Sequence, residues 1–272
     1  MANVFDQTIR ANGIDIHYYR MGTGDSNKPA IVLLHGVTDS GECWPLVARD
    51  LAEEYDVIMP DARGHGQTQS GISAFSYETL ARDAIALIEA LHLDRPFVWG
   101  HSMGGRTALS VAHILSNASS PALRAVVLED PPLLETTREG QPRNWQWIFD
   151  VKAQPAEERE ARCRADNPQW AEEEIAPWSR SKEQFSVQVL EHMEPGDLPW
   201  REFLPGITTP LLLLTGEVER GGIVSPETTR KCADLWLKGE VAHIAGTGHN
   251  IHRESYEPTL ATVRAFLKKY HA

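Results

Sequence analysis

Five short apolar runs constrain this chain more than any other feature: AIVLLHG (30–36), YDVIMPDARG (55–64), PFVWGHS (96–102), LRAVVLEDPP (123–132) and PLLLLTGE (210–217). Each has a nearly continuous apolar stretch that ends at Gly, Asp or Pro. A strand buried on one face alternates apolar with polar residues, whereas a strand buried on both faces does not. The runs therefore predict a parallel sheet covered on both sides. Helix-like segments separate most of them. CWPLVARDLAEE brings Leu46, Val47 and Leu51 together. SYETLARDAIALIEALH opens on Ser76 as a cap, with Glu78 in the first turn, and sets Leu80, Ala84, Leu87, Ile88 and Leu91 on one face. Strand alternates with helix, so the fold class is α/β with a mostly parallel sheet.

Both ends of the chain add to this core. TIRANG and IDIHYYRMG alternate polar with apolar residues and read as an antiparallel pair turned at Asn12-Gly13. VAHIAGTGH supplies a last strand, and PTLATVRAFLKKY a closing helix whose lysines suit the negative pole of its dipole. From 133–204 the alternation stops. That stretch is rich in charge and carries Trp145, Trp147, Phe149, Trp170, Trp178, Phe185, Trp200 and Phe203. It is expected to be a helical insertion, with 1–132 and 205–272 forming one α/β core, and 272 residues suffice to bury such a core.

Charge and cysteine content exclude several classes. Lys and Arg total 26 against 38 Asp and Glu, with no basic block, so neither nucleic acid nor an anionic membrane is an expected partner. Residues 1–7 hold no basic segment leading into an apolar one, and no run of about 18 apolar residues follows, so a soluble protein without a secretion signal is expected. Cys43, Cys163 and Cys232 are odd in number, far apart and outside metal-ligand spacing. A reducing cytoplasm, no disulfide framework and no metal site are expected. No dinucleotide fingerprint follows the first buried strand, so no cofactor is expected either.

The chemistry centres on VWGHSMGGRTAL (98–109), which crowds Gly100, Gly104 and Gly105 around Ser102. G-x-S-x-G alone is weak evidence, but here it follows an apolar strand and opens the helical run GRTALSVAHIL. That setting predicts a tight strand-to-helix turn with the hydroxyl at its apex. A serine hydroxyl is a poor nucleophile until a base takes its proton. IAGTGHNIHRE offers His249, directly after the Gly246 and Gly248 turn, and His252, where a following helix would begin; His249 has the better position.

With LLHGVTDSG, PDARGHGQT, GHSMGG and GTGHNIHRE in this order, the chain resembles the α/β-hydrolase family over nearly its whole length. The resemblance implies an oxyanion hole formed by the Val37 and Met103 N–H groups, with His35 and Gly36 shaping the loop beside the substrate and Gly64 and Gly66 making a turn. It leaves two carboxylates open as partner of His249. Glu219 stands three residues after Gly216, the family's usual position, but its loop carries about two extra residues. Asp130, in LEDPP, ends the preceding strand, a position some members use.

The implied activity is that of a cofactor-free serine hydrolase acting on carboxylic esters or lactones. The insertion resembles the family's cap, in which Trp145, Trp147 and Trp178 would wall an apolar pocket for a small-to-medium acyl or ring compound. Carbon–carbon bond hydrolysis, cofactor-free perhydrolysis and receptor-like ligand binding are alternatives on the same scaffold. Dehalogenase and Asp-based epoxide hydrolase chemistry is disfavoured, because Ser102 stands where those need Asp.

Overall fold

The computed structural model describes residues 4–22, 28–69, 71–116, 123–133, 145–193 and 199–271. Its strands are β1 (Val4–Ala11), β2 (Ile14–Met21), β3 (Ala30–Leu34), β4 (Asp56–Pro60), β5 (Phe97–His101), β6 (Val126–Glu129), β7 (Leu211–Thr215) and β8 (Gly239–His243). Among the described residues they form one eight-stranded sheet in the order β1-β2-β4-β3-β5-β6-β7-β8. From β4 to β8 every neighbour pair is parallel; β1 and β2 run antiparallel and join the sheet beside β4. Asn12 and Gly13 make their turn with φ of 45° and 74°, the left-handed pair such hairpins need.

The expected buried strands are buried on both faces. Every residue of β3, β4, β5, β6 and β7 is buried. Along β3, Val32 and Leu34 face one hydrophobic cluster while Ile31 and Leu33 face another. Helices α1 (Pro45–Leu51), α2 (Tyr77–Ala90) and α3 (Met103–Ser116) follow β3, β4 and β5 in turn. The first cluster packs on Leu87 of α2 and Leu109 of α3; the second packs on Val47 and Leu51 of α1. Ser76 caps α2 as expected, its hydroxyl accepting the Thr79 N–H at 3.1 Å. β8 starts two residues before the VAHIAGTGH run and is only partly buried, because it is an edge strand.

Between β6 and β7 lie α4 (Gln146–Ala153), α5 (Ala156–Asp166), α6 (Glu172–Gln184), α7 (Val189–His192) and α8 (Trp200–Phe203). Residues 134–144 and 194–198 of the aromatic-rich stretch are outside the described residues. α6 packs on α1 and on the short turn Gly41–Cys43 that precedes it. The chain closes with α9 (Pro226–Leu235), α10 (Ile251–Glu254) and α11 (Tyr256–Lys268), and Val263, Phe266 and Leu267 of α11 complete the second cluster. The strand order reverses between β3 and β5, so the loops leaving their carboxyl ends frame a crevice, the usual ligand position in an open α/β sheet.

Candidate active site

Ser102 sits between β5 and α3 with φ of 52°, a left-handed conformation costly for any residue with a side chain. The neighbouring glycines explain how the turn closes. A Cβ on Gly100 would lie 2.1 Å from the Gly104 carbonyl, and one on Gly104 would lie 1.9 Å from the Leu34 carbonyl. β5 and α3 thus meet at backbone contact, which only glycine permits. Two hydrogen bonds hold the strained residue: Ser102 N–H to the Glu129 carbonyl at 2.9 Å, and Arg106 N–H to the Ser102 carbonyl at 3.0 Å.

His249 reaches this serine from the loop after β8. Its Nε2 lies 2.9 Å from Ser102 Oγ and its Nδ1 lies 2.6 Å from Asp130 Oδ2. A carboxylate can only accept hydrogen bonds, so Nδ1–H donates to Asp130 and Nε2 is left to accept from the Ser102 hydroxyl. The loop is fixed on both sides of the ring. Glu254 accepts the N–H groups of Gly248 at 2.6 Å and Asn250 at 3.0 Å, and His101 Nε2–H donates to the His249 carbonyl at 2.9 Å. Burial pushes the His101 imidazole down to about 3, so this donor is neutral.

Of the two carboxylates left open by the sequence, the structure brings Asp130 to His249 and leaves Glu219 exposed on the short turn Val218–Arg220. Asp130 follows β6 with φ of 38°, and its side chain is fully buried. An unpaired buried carboxylate costs several kcal/mol. Here Ile223 N–H at 2.8 Å and Val224 N–H at 2.9 Å join the histidine as donors. The extra length of the loop after β7 serves Asp130: it carries those two amides inward while its turn points Glu219 out.

The loop after β3 passes directly over the serine. A Cβ on Gly36 would lie 3.5 Å from Ser102 Cβ and 3.0 Å from His101 Nδ1. His35 is buried; its Nδ1–H donates to the Gly36 carbonyl at 2.8 Å and its Nε2 accepts the Ala62 N–H at 3.0 Å. That arrangement requires the neutral ring, in keeping with a pKa lowered by burial. Met103 follows the serine and Val37 packs against the cluster that holds Met103; among the described residues no hydrogen bond from either N–H to a protein acceptor is found.

A second carboxylate–histidine pair lies behind the first, unannounced by the sequence. Glu129, fully buried at the end of β6, accepts His252 Nδ1–H at 2.7 Å and His252 N–H at 2.9 Å on one oxygen and Trp99 Nε1–H at 3.0 Å on the other. Burial would raise its pKa, but the charge and hydrogen bonds of His252 pull it down to about 2. The partners lie 123 positions apart, so no local pattern announces them.

An apolar cluster gathers around Met103, the residue after Ser102. It joins Phe75, Leu80, Ile148, Phe185 and Val189, with Val37 and Trp145 packed against it. Trp147, expected beside Trp145, is not brought into this cluster: it is 45% exposed, and Ile148 takes the inward place on α4. Trp178 is half-buried, its ring 5.0 Å from Lys182 Nζ. Among the described residues no group of three or more His, Cys, Asp or Glu side chains gathers as a metal site, and no helix is long and apolar enough to cross a membrane.

The model of the alpha/beta hydrolase fold family matches residues 29–256. An N-formylmaleamate deformylase of Pseudomonas putida is 29% identical over 269 residues, 95% of either chain. An esterase of Escherichia coli is 24% identical over 246 residues, covering 89% of this chain and 94% of its own. A crystal structure of an N-formylmaleamic acid deformylase from Pseudomonas putida superposes with a TM-score of 0.78 at 23% identity, over 95% of this chain and 100% of that one.

Proposed function

The chain belongs to the alpha/beta hydrolase family, and from that premise we propose that it is a serine hydrolase cleaving carboxylic esters or lactones of small-to-medium apolar compounds. The observation that carries the reading is the unbroken path Asp130–His249–Ser102, with contacts of 2.6 and 2.9 Å. Ser102 Oγ attacks the acyl carbon as its proton passes to His249 Nε2. The resulting oxyanion takes the Val37 and Met103 N–H groups, each such donor being worth about 3–4 kcal/mol. His249 returns the proton to the leaving oxygen, and the acyl group stays on Ser102. A water, deprotonated by His249, then attacks this acyl-enzyme; the acid departs and Ser102 regains its proton.

In this reading 133–204 acts as a cap on the core formed by 1–132 and 205–272, and the cluster around Trp145, Phe185 and Met103 favours apolar acyl groups. Buried, unpaired Cys43, Cys163 and Cys232 suit a reducing, cytoplasmic setting. A second reading, hydrolysis of a formyl C–N bond at the same serine, is favoured by the 29% identical deformylase.

A panel of p-nitrophenyl esters, lactones and N-formyl amides, run with wild type and Ser102→Ala, tests both. The expected outcome is turnover well beyond one equivalent per chain, lost by on the order of 10⁶-fold in the folded alanine variant. Preference for the formyl amides selects the second reading. Unimpaired turnover by Ser102→Ala contradicts both.

A further inference from the structure

Four charged side chains are buried together where α6 meets the catalytic loops. Asp39, two residues past Val37, accepts the Lys182 ammonium on Oδ1 and Arg253 Nη2 on Oδ2, the latter at 3.0 Å. Arg253, four residues past His249, also donates through Nε to Glu174 Oε2 at 3.2 Å and through Nη2 to the Cys43 carbonyl at 3.0 Å. Lys182 and Glu174 both belong to α6, and the four side chains are 1–7% exposed. Lys182 spends its other donors on the Thr38 carbonyl at 3.2 Å and Ser181 Oγ at 3.1 Å. Trp178 lies over Lys182 and Trp170 over Arg253.

Burying two ions of each sign costs several kcal/mol per ion before their attraction returns it, so apolar residues would serve stability as well. What the charges add is direction. Asp39 N–H donates to the Gly36 carbonyl at 3.1 Å. That carbonyl and the Val37 N–H belong to one planar peptide, so fixing the first aims the second. Thr38, between Val37 and Asp39, holds φ of 68°, a conformation a β-branched residue keeps only when its surroundings over-determine it. The Lys182 contact to its carbonyl is one such restraint.

We propose that Lys182 is a positioning residue for the oxyanion loop: through Asp39 and Thr38 it sets the peptide that points the Val37 N–H at the acyl oxygen, so catalytic power depends on the seating of α6. Arg253 carries the same restraint to the histidine loop. The proposal rests on the serine-hydrolase reading and deepens it.

Lys182→Met and Lys182→Gln test it, after wild type is shown to take up one fluorophosphonate and to turn over p-nitrophenyl butyrate. In Lys182→Met, kcat falls roughly 10- to 100-fold, less than the 10²–10³-fold typical of deleting a donor outright. An alkyl trifluoromethyl ketone, which forms an oxyanion on the serine, weakens by the same factor, while KM changes by less than about 3-fold. Lys182→Gln, which keeps a donor, recovers most of the loss. Folded variants with unchanged kcat and ketone affinity overturn the proposal, as does a rise in KM alone. If neither variant folds, the tie is a stability element and the positioning role falls. Wild type that takes no label and shows no turnover removes the hydrolase reading itself, and this proposal with it.

Discussion

Two carboxylate–histidine pairs stand back to back in this molecule. Asp130 and His249 meet at 2.6 Å, and Glu129 and His252, one residue earlier and three later, meet at 2.7 Å. Both carboxylates are fully buried, so neither burial nor hydrogen bonding distinguishes them. The far nitrogen does. His249 is 27% exposed and turns Nε2 to a strained serine hydroxyl, whereas His252 is 1% exposed, stacked on Trp44 at 4.5 Å, with Nε2 facing no partner among the described residues. A histidine oriented by a carboxylate is common to both; solvent access and a serine hydroxyl at the far nitrogen belong to one.

The widest separation between the pairs is expected from removing each charge in turn. Asp130→Asn should lower kcat by about 10⁴-fold, the cost of losing the group that fixes the histidine tautomer. Glu219→Gln should leave kcat nearly unchanged, since that side chain is exposed. Glu129→Gln breaks a buried pair, worth about 3–5 kcal/mol, and should lower Tm by roughly 5–15 °C with a kcat loss of no more than about 10-fold. A 10⁴-fold loss in Glu129→Gln at unchanged Tm would erase the contrast.

Acid titration sharpens the same comparison. His101 is held at about 3 against an ordinary 6.5, so between those values the unfolded chain binds the extra proton and stability falls as pH drops below about 6.5. Glu129, held at about 2 against 4.5, adds a second loss as pH falls below about 4.5. Thermal melts should show Tm decreasing from about pH 6.5 to pH 4; a Tm that rises on acidification through that window would contradict the neutral His101.

A smaller effect is expected at the pocket wall. Trp145→Ala should change the ranking of ester chain lengths, and Trp147→Ala should not, because only the first packs against the cluster beside Met103. Exhaustive chelation and dialysis should change nothing measurable in kcat; a loss restored by a divalent ion would point to different chemistry.

The buried strands were legible because burial on both faces leaves a run of apolar residues in the chain itself, as in AIVLLHG and PLLLLTGE. The serine turn was legible because backbone contact at Gly100 and Gly104 admits no other residue. The partner of His249 was not, since Asp130 is chosen by where the loop after β7 sends the amides of Ile223 and Val224, and backbone amides carry no sequence signature. The Asp39–Lys182–Arg253 tie carries no local signature for a related reason. Its members are 143 and 214 positions apart, and each reads locally as an ordinary surface charge. Aromatic content does not fix the phase of α4, which turns Ile148 inward and Trp147 outward.

The most direct test of the account is to treat the wild-type protein with a fluorophosphonate and locate the adduct by intact mass and peptide mapping. One adduct per chain on Ser102, with turnover lost in step with labelling, is the result expected of a serine activated by His249 and Asp130. An adduct on any other residue, or full turnover after Ser102 is saturated, would contradict it.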